Sequence, residues 1–127
     1  MIDISDKQFE KLIGTCMDEL PEEYITGMKN VFVTFENYPT SEQRQKQKLR
    51  YDQTLFGLYE GIPLTKRGAG YNLVLPDRIT IFKGPISRSS HDLASLKSQV
   101  QHTLWHEIAH HFGLDHDRIH EIERNWH

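Results

Sequence analysis

The sequence has little cysteine, no long apolar run and no excess of basic residues, and each absence excludes a class of protein. The single cysteine, Cys16, cannot form a disulfide within the chain, so we expect a reducing, cytoplasmic location. No apolar run approaches the roughly 18 residues of a membrane span, and the acidic start over 1–6 lacks the pattern of a secretory signal. Fifteen basic residues against 18 acidic ones argue against nucleic-acid binding.

Histidine is also absent from most of the chain, because none occurs before position 91. All eight histidines lie in the last 37 residues, and six of them lie between 102 and 120. A length of 127 residues fits one compact core, so we expect residues 1–127 to form a single domain. The histidine-rich end of that domain is therefore the first place to look for a functional site.

Two stretches have the hydrophobic periodicity of a helix. Ser5 has the character of an N-cap, and apolar residues then recur at helical spacing, which predicts a first helix over about 5–20. A longer helix is predicted to begin near Ser90 or Asp92, either of which could cap it. Gly113 is placed to end that helix as a left-handed residue.

The middle of the chain has the alternation and turn residues of a small sheet. The glycine-rich stretch 61–71 is interpreted as a loop, and the charged stretch 41–50 as a solvated helix face or loop. The predicted strands are 31–37, 54–59 and 78–83. Together with the two helices, they predict an α+β domain.

A helical wheel of the long helix separates its apolar residues from the histidines. At about 100° per residue, His106 and His110 fall opposite the apolar stripe, Glu107 falls at its edge and His111 falls on it. We therefore expect His106 and His110 to face a cleft, and His111 to be a buried core histidine bonded to a backbone carbonyl. The stripe consists of Leu93, Leu96, Val100, Leu104 and Ile108.

The segment 106–116 has the spacing of a metal site. Because His106 and His110 are one helical turn apart, both imidazoles can reach one metal ion. Glu107 is placed to take a proton from the metal-bound water, and the turn after the helix can return His116 as a third ligand. Three protein ligands with an open position are typical of a catalytic site, and imidazole favours one Zn²⁺ ion.

Other polar residues near this segment have less defined roles. His102 is interpreted as a surface histidine or a supporting group, and His120 as a surface group that could reach the cleft. Asp115 and Asp117 flank His116, where they could be solvated acids, substitute ligands or groups that orient an imidazole.

The segment 106–116 resembles the H-E-x-x-H-x-x-G-x-x-H signature of zincin metallopeptidases. More widely, residues 5–123 resemble the small bacterial zincin-like metallopeptidases called minimal metalloprotease-like domains. That family often has an aspartate at the third ligand position, where this chain has His116. The resembling stretches include 19–23, 55–64, 75–81 and 102–112.

The resemblance implies a fold, a cofactor and an activity. The fold is a small mixed or antiparallel sheet packed on a long active-site helix, with an N-terminal helix beside it. The activity is hydrolysis of peptide bonds in a peptide or protein substrate, with Glu107 as the catalytic residue and His106, His110 and His116 as zinc ligands. Since no methionine follows the motif, the Met-turn of metzincins is missing, and we expect the activity to be weak or narrow. We also expect the protein to be a monomer.

Two further expectations concern the substrate and the cysteine. Zincins bind an extended peptide along a sheet edge, and strand 78–83 is the candidate edge, with an interior position equally open. Cys16 lies on the apolar stripe of the first helix, so a buried thiol is favoured over a thiolate that blocks the metal.

Two alternative functions remain open. The same histidine spacing occurs in a bacterial metal-dependent endoribonuclease family, which has a glycine where this chain has Glu107. That function would need a basic cleft, for which Arg78, Lys83, Arg88 and Lys97 are the candidates. The other alternative is a zinc-containing peptide-binding module with little turnover.

Overall fold

The computed structural model of the protein describes residues 2–63 and 76–124, and its elements follow the predicted α+β order. Only the start of the predicted loop 61–71 belongs to these ranges, so the rest of that loop lies outside the described residues. The elements are α1 (Asp6–Asp18), α2 (Glu22–Gly27), β1 (Val31–Glu36), α3 (Ser41–Lys46), β2 (Gly57–Glu60), β3 (Asp77–Phe82), α4 (Lys83–Ser89), α5 (Leu93–Phe112) and α6 (His116–Arg124).

The three strands form a mixed sheet in the order β1-β3-β2. Strand β1 runs parallel to β3, with Val33 opposite Ile79, and β2 runs antiparallel to it, with Tyr59 opposite the same residue. The candidate substrate edge over 78–83 therefore lies in the interior strand of the described sheet. Of the two positions left open, the interior one is confirmed and the edge is wrong. Nearly every residue of β3 is buried, as is usual for a strand with a neighbour on each side.

The core lies between one face of the sheet and helices α1 and α5. Phe9 of α1 packs edge-on against Phe35 of β1, with ring centroids 5.3 Å apart. The apolar stripe of α5 is fully buried, as predicted, except for Leu93, which is 67% exposed because it lies in the first turn. Each buried aliphatic side chain contributes about 1.5–3 kcal/mol, which makes the stripe a main attachment of α5.

The ends of the two predicted helices are set by the residues that the sequence indicates. The Ser5 side chain accepts from the Gln8 N–H at 3.1 Å, which caps α1. Of the two candidate caps of α5, it is Asp92 that accepts from the Ser95 N–H, at 2.8 Å. Gly113 has φ 73° and ψ 25°, so the left-handed end of α5 is also confirmed.

Four short helices were not predicted as separate elements. Helix α3 falls in the charged stretch 41–50, where a capping box between Thr40 and Gln43 starts it. Helix α4 follows β3 without a loop, and α6 begins three residues after the end of α5 at Gly113. Among the described residues no helix has the length and apolar character to cross a membrane.

Candidate metal centre

The last two turns of α5 place His106 and His110 on one side of the helix. Their ring centroids are 4.5 Å apart and their planes are inclined by 74°. Both side chains are partly exposed, whereas Ile108 and His111 on the opposite side are buried. The predicted separation of the histidine pair from the core is thus present.

The chain then turns so that His116 approaches the pair. The Gly113 N–H donates to the His110 carbonyl at 3.0 Å, and the Leu114 N–H donates to the Ala109 carbonyl at 3.1 Å, which closes the end of α5. The Asp115 carboxylate accepts from the Arg118 N–H at 2.8 Å and caps α6. His116 begins α6, and its ring centroid lies 5.9 Å from that of His106.

Glu107 lies between this cluster and the sheet. Its side chain is only 11% exposed, and its Oε1 lies 3.3 Å from His110 Nδ1. Strand β2 passes close to it because Gly57 has no side chain. A Cβ at Gly57 would be 2.5 Å from Thr103 Cγ2 and 3.3 Å from Glu107 Cγ. The carboxylate is therefore enclosed on its sheet side.

The two histidines of the pair have opposite pKa shifts. Partial burial lowers the pKa of His106, and the neighbouring His110 adds to this. The contact with Glu107 holds the pKa of His110 above its ordinary value. The shift at His106 favours the neutral imidazole, which is the form that binds a metal.

The cluster has the donors of a zinc site, but its rings do not converge on one point. Among the described residues no three His, Cys, Asp or Glu side chains are arranged so that they could hold a metal ion as they stand. Imidazoles bound to one tetrahedral zinc have ring centroids about 5 Å apart, and the two observed spacings, 4.5 and 5.9 Å, lie on either side of this value. The Nδ1 of His106 is buried without a hydrogen-bond partner in the described chain. The donor types therefore suit zinc, whereas the described side chains do not form the site as they stand.

A cleft of about 350 Å³ opens beside the cluster, between the start of β2 and helices α5 and α6. Glutamates contribute to it from both helices, and the described lining has no lysine or arginine. Its lining residues are Phe56, Gly57, His102, Thr103, His106, Glu107 and Glu123.

The remaining histidines near the motif lie at the surface. The side chains of His102 and His120 are 54% and 63% exposed. Their Nδ1 atoms lie 4.0 and 3.5 Å from the two carboxylate oxygens of Glu123. His102 is a surface histidine, as expected, although it also borders the cleft. Asp117 is exposed, whereas Asp115 has the capping role described above.

A buried polar group behind the cluster was missed at the level of sequence. His111 is fully buried, as predicted, and its Nδ1 lies 2.9 Å from the Asp77 carboxylate, a side-chain partner that was not expected. The Tyr59 hydroxyl donates to the same carboxylate oxygen at 2.7 Å. A histidine on an apolar stripe signals a polar partner, but it does not say which residue supplies it.

Cys16 is the small buried side chain that its position on α1 predicts. Its Sγ lies 3.7 Å from the Lys97 carbonyl oxygen, and burial raises the pKa of the thiol to about 11. Lys97 precedes His106 by nine residues, or roughly 14 Å along the helix. The thiol therefore belongs to the α1–α5 interface and not to the histidine cluster.

Comparison with known proteins gives a family match and a similarity to solved structures. A family model described as a zincin-like metallopeptidase matches residues 28–126. A solved structure, a conserved hypothetical protein from Thermus thermophilus, is similar with a TM-score of 0.58 and 22% identity, covering 86% of this chain and 94% of that chain. This second likeness supports the fold alone. No curated protein matches the chain.

Proposed function

Because the chain belongs to the zincin-like metallopeptidase family, we propose that it is a zinc-dependent peptidase with Glu107 as its catalytic residue. The observation that carries this proposal is the grouping of three histidines and an enclosed glutamate beside one cleft. We further propose that residues 1–127 act as a single-domain, cytoplasmic monomer, and that the substrate is a peptide or a protein segment.

In this proposal His106, His110 and His116 hold one Zn²⁺ ion. Zinc, when bound, supplies a Lewis acid that polarises a peptide carbonyl and makes a water molecule more acidic. The chain supplies ligands from two helices, two from α5 and one from the first turn of α6. The left-handed Gly113 makes this possible because it lets the chain reverse within three residues.

In the proposed reaction Glu107 transfers a proton from the attacking water to the departing amine. Its carboxylate borders the cleft and, at 11% exposure, is shielded from bulk water. It accepts the proton of the attacking water and then donates it to the nitrogen of the departing amine. The close approach of β2 at Gly57 restricts where this side chain can go, which helps to orient it.

The strand that best fits an extended substrate is β2. It is an outer strand of the described sheet, and it begins at the cleft. A peptide that pairs with its backbone would pass Gly57 and reach the histidine cluster. This replaces the earlier candidate, β3, which is occupied on both sides.

The cleft does not favour the endoribonuclease alternative. Its described lining has two glutamates and no basic side chain, whereas phosphate contacts require lysine or arginine. Of the four basic candidates named from the sequence, Arg78 pairs with Glu60, Lys83 with Asp6, and Lys97 with Glu19. A peptide substrate therefore agrees better with the charge of the cleft.

The experiment is metal analysis of the purified protein combined with digestion of a peptide library. The parent should bind one zinc per chain and cleave a subset of peptides. Glu107→Gln should keep the zinc and lose about 10²–10⁴-fold in rate, because the amide cannot accept the proton. Glu121→Gln is the matched control, since Glu121 is an exposed residue of α6 paired with Arg118.

Three results would count against this proposal. Peptide cleavage by Glu107→Gln at the parent rate would remove Glu107 from the catalytic role. A zinc-loaded parent that binds peptides but cleaves none would be a binding module. Cleavage of RNA but not of peptides would favour the endoribonuclease.

A further inference from the structure

A hydrogen-bonded group of three side chains links the sheet to the last turn of α5. The Asp77 carboxylate, at the start of β3, accepts from the Tyr59 hydroxyl of β2 at 2.7 Å and lies 2.9 Å from His111 Nδ1. Tyr59 and His111 also lie 3.4 Å apart, measured from the hydroxyl to Nδ1. Asp77 and His111 are almost fully buried. We call Tyr59, Asp77 and His111 the anchor group.

The backbone around Asp77 is shaped to hold its carboxylate in this place. A Cβ at Gly61 would lie 2.5 Å from both Cγ and Oδ1 of Asp77, so β2 can leave the sheet along this path only with a glycine there. The Asp77 N–H donates to the Asn30 carbonyl at 3.0 Å, which ties the start of β3 to the residue before β1. The carboxylate is thus fixed by its own backbone, by Tyr59 and by the chain at Gly61.

The anchor group is unusual for its place in the core. The residues before His111 on the buried stripe are Leu104 and Ile108, both apolar and fully buried. An apolar residue at 111 would continue that pattern without the cost of burying a carboxylate and an imidazole. The polar group fixes the rotation of α5 about its axis. Hydrogen bonds restrict this rotation more closely than the packing of aliphatic side chains does, because they require a defined geometry.

That rotation matters for the neighbouring residues. His111 follows His110 directly, and adjacent residues of a helix are separated by about 100°. Fixing His111 towards the sheet therefore fixes the side of the helix on which His110 lies, beside His106. Glu107 lies one turn earlier, and its Oε1 contacts His110 Nδ1 at 3.3 Å. The sheet, the anchor group, His110 and Glu107 form one continuous chain of contacts.

We propose that Asp77 and Tyr59 are positioning residues, which act through His111 to orient the candidate ligand His110 and the candidate base Glu107. This inference rests on the proposed function, because it assigns the anchor group to the same metal site. It adds to the site two residues of the sheet that are not ligands and that act only through His111.

The test uses Tyr59→Phe and Asp77→Asn in the full chain. Tyr59→Phe removes one hydroxyl and keeps the ring, and Asp77→Asn keeps the shape of the side chain. The control is Thr80→Val, because Thr80 is a fully buried residue of the same strand β3 whose hydroxyl has no partner in the described chain. Its side chain points to the other face of the sheet, because Thr80 lies three positions after Asp77 and side chains alternate along a strand. Melting temperature and circular dichroism establish that each variant folds.

Three readouts separate positioning from mere stability. They are the zinc dissociation constant from competition with a chelator, the visible absorption spectrum of the Co²⁺-loaded protein, and kcat and KM at saturating zinc. We expect both anchor variants to bind zinc about tenfold more weakly. This is at the low end of the effects of groups that support ligands, because Asp77 contacts His111 and not the candidate ligand His110 itself. We also expect an altered cobalt spectrum and a lower kcat with little change in KM. Thr80→Val should match the parent in all three.

The outcomes separate this inference from the proposed function. If the anchor variants have a lower melting temperature but keep the parent's zinc affinity and cobalt spectrum, the anchor group only stabilises the fold and the inference is overturned. If the parent binds zinc but cleaves no peptide, the peptidase proposal fails, and the affinity and spectrum still decide the inference. A parent that binds neither zinc nor cobalt would overturn both.

Discussion

At the scale of single residues, the cluster on α5 combines two side chains with different access to water. His110 is 42% exposed, whereas Glu107, which it contacts, is 11% exposed. A ligand must be reachable by an incoming ion, while a proton acceptor works best where water does not compete for it. Their positions three residues apart on one helix give each side chain the surroundings that its proposed role requires.

Cys16 gives a prediction at the same scale. Only the thiolate reacts with alkylating agents, and burial raises the pKa of this thiol to about 11. At pH 8 the folded protein should therefore react with iodoacetamide at least about 100-fold more slowly than the unfolded chain, whose thiol has its ordinary pKa. Labelling followed by mass spectrometry, with and without denaturant, measures the ratio.

The pH dependence of this reaction identifies its cause. The labelling rate of the folded protein should still be rising above pH 9, because the thiol has not yet ionised there. A folded-state rate that levels off near pH 9 would mean that the Cys16 pKa is not raised. Equal rates for the folded and unfolded chains would show that the α1–α5 interface is open.

At the scale of secondary structure, the approach of β2 to α5 can be tested at a glycine. In Gly57→Ala the new Cβ would lie 2.5 Å from Thr103 Cγ2, so the strand must move away from the helix. We expect a loss of about 1–3 kcal/mol in the free energy of unfolding, as for other overpacked sites. Urea denaturation monitored by circular dichroism measures this change, and peptide cleavage should fall with it.

A second glycine provides the control. A Cβ at Gly14, inside α1, would meet nothing within 4 Å, so Gly14→Ala should raise the free energy of unfolding by up to about 1 kcal/mol through helix propensity alone. If both variants shifted stability in the same direction, the close contact at Gly57 would not be what holds β2 at its distance from α5.

The elements also show which parts of the fold a sequence pattern contains. Helix α5 could be predicted because its stripe, its cap at Asp92 and its stop at Gly113 are all local signals. Helix α3 begins with the same capping box as α1, but it has six residues and one buried side chain, too few for a periodic pattern. The interior place of β3 has no local signal, because its sequence includes Asp77, Arg78 and Thr80 beside apolar residues. The order of the strands depends instead on contacts between distant segments.

In the site, too, residues that are close in sequence could be predicted, whereas contacts between distant residues could not. The ligand candidates and Glu107 lie within eleven residues, so their spacing is visible in the sequence. Asp77 and His111 are 34 residues apart, and no periodicity relates them. The burial of His111 could be predicted from the wheel, but its partner could not, because many polar residues could have reached that position.

At the scale of the whole molecule, the proposed zinc would join two helices that are attached to the core to very different degrees. Helix α5 is held by a long buried stripe, whereas α6 has nine residues and one buried side chain, Ile119. A helix of that length is marginal without tertiary support. A metal held by α5 and by His116 at the start of α6 would supply that support.

Removal of the metal should therefore lower the stability of the molecule, and of α6 most of all. Zinc at 100 times its dissociation constant adds about 2.7 kcal/mol, which corresponds to roughly 10 °C in Tm for a chain of this size. Differential scanning calorimetry with zinc and with a chelator measures the shift, and hydrogen exchange should show the largest loss of protection in α6. His116→Ala should lose most of the shift, whereas His91→Ala, an exposed residue before α5, should keep it. Equal Tm values for the zinc-loaded and chelator-treated parent would contradict the proposed link between the two helices.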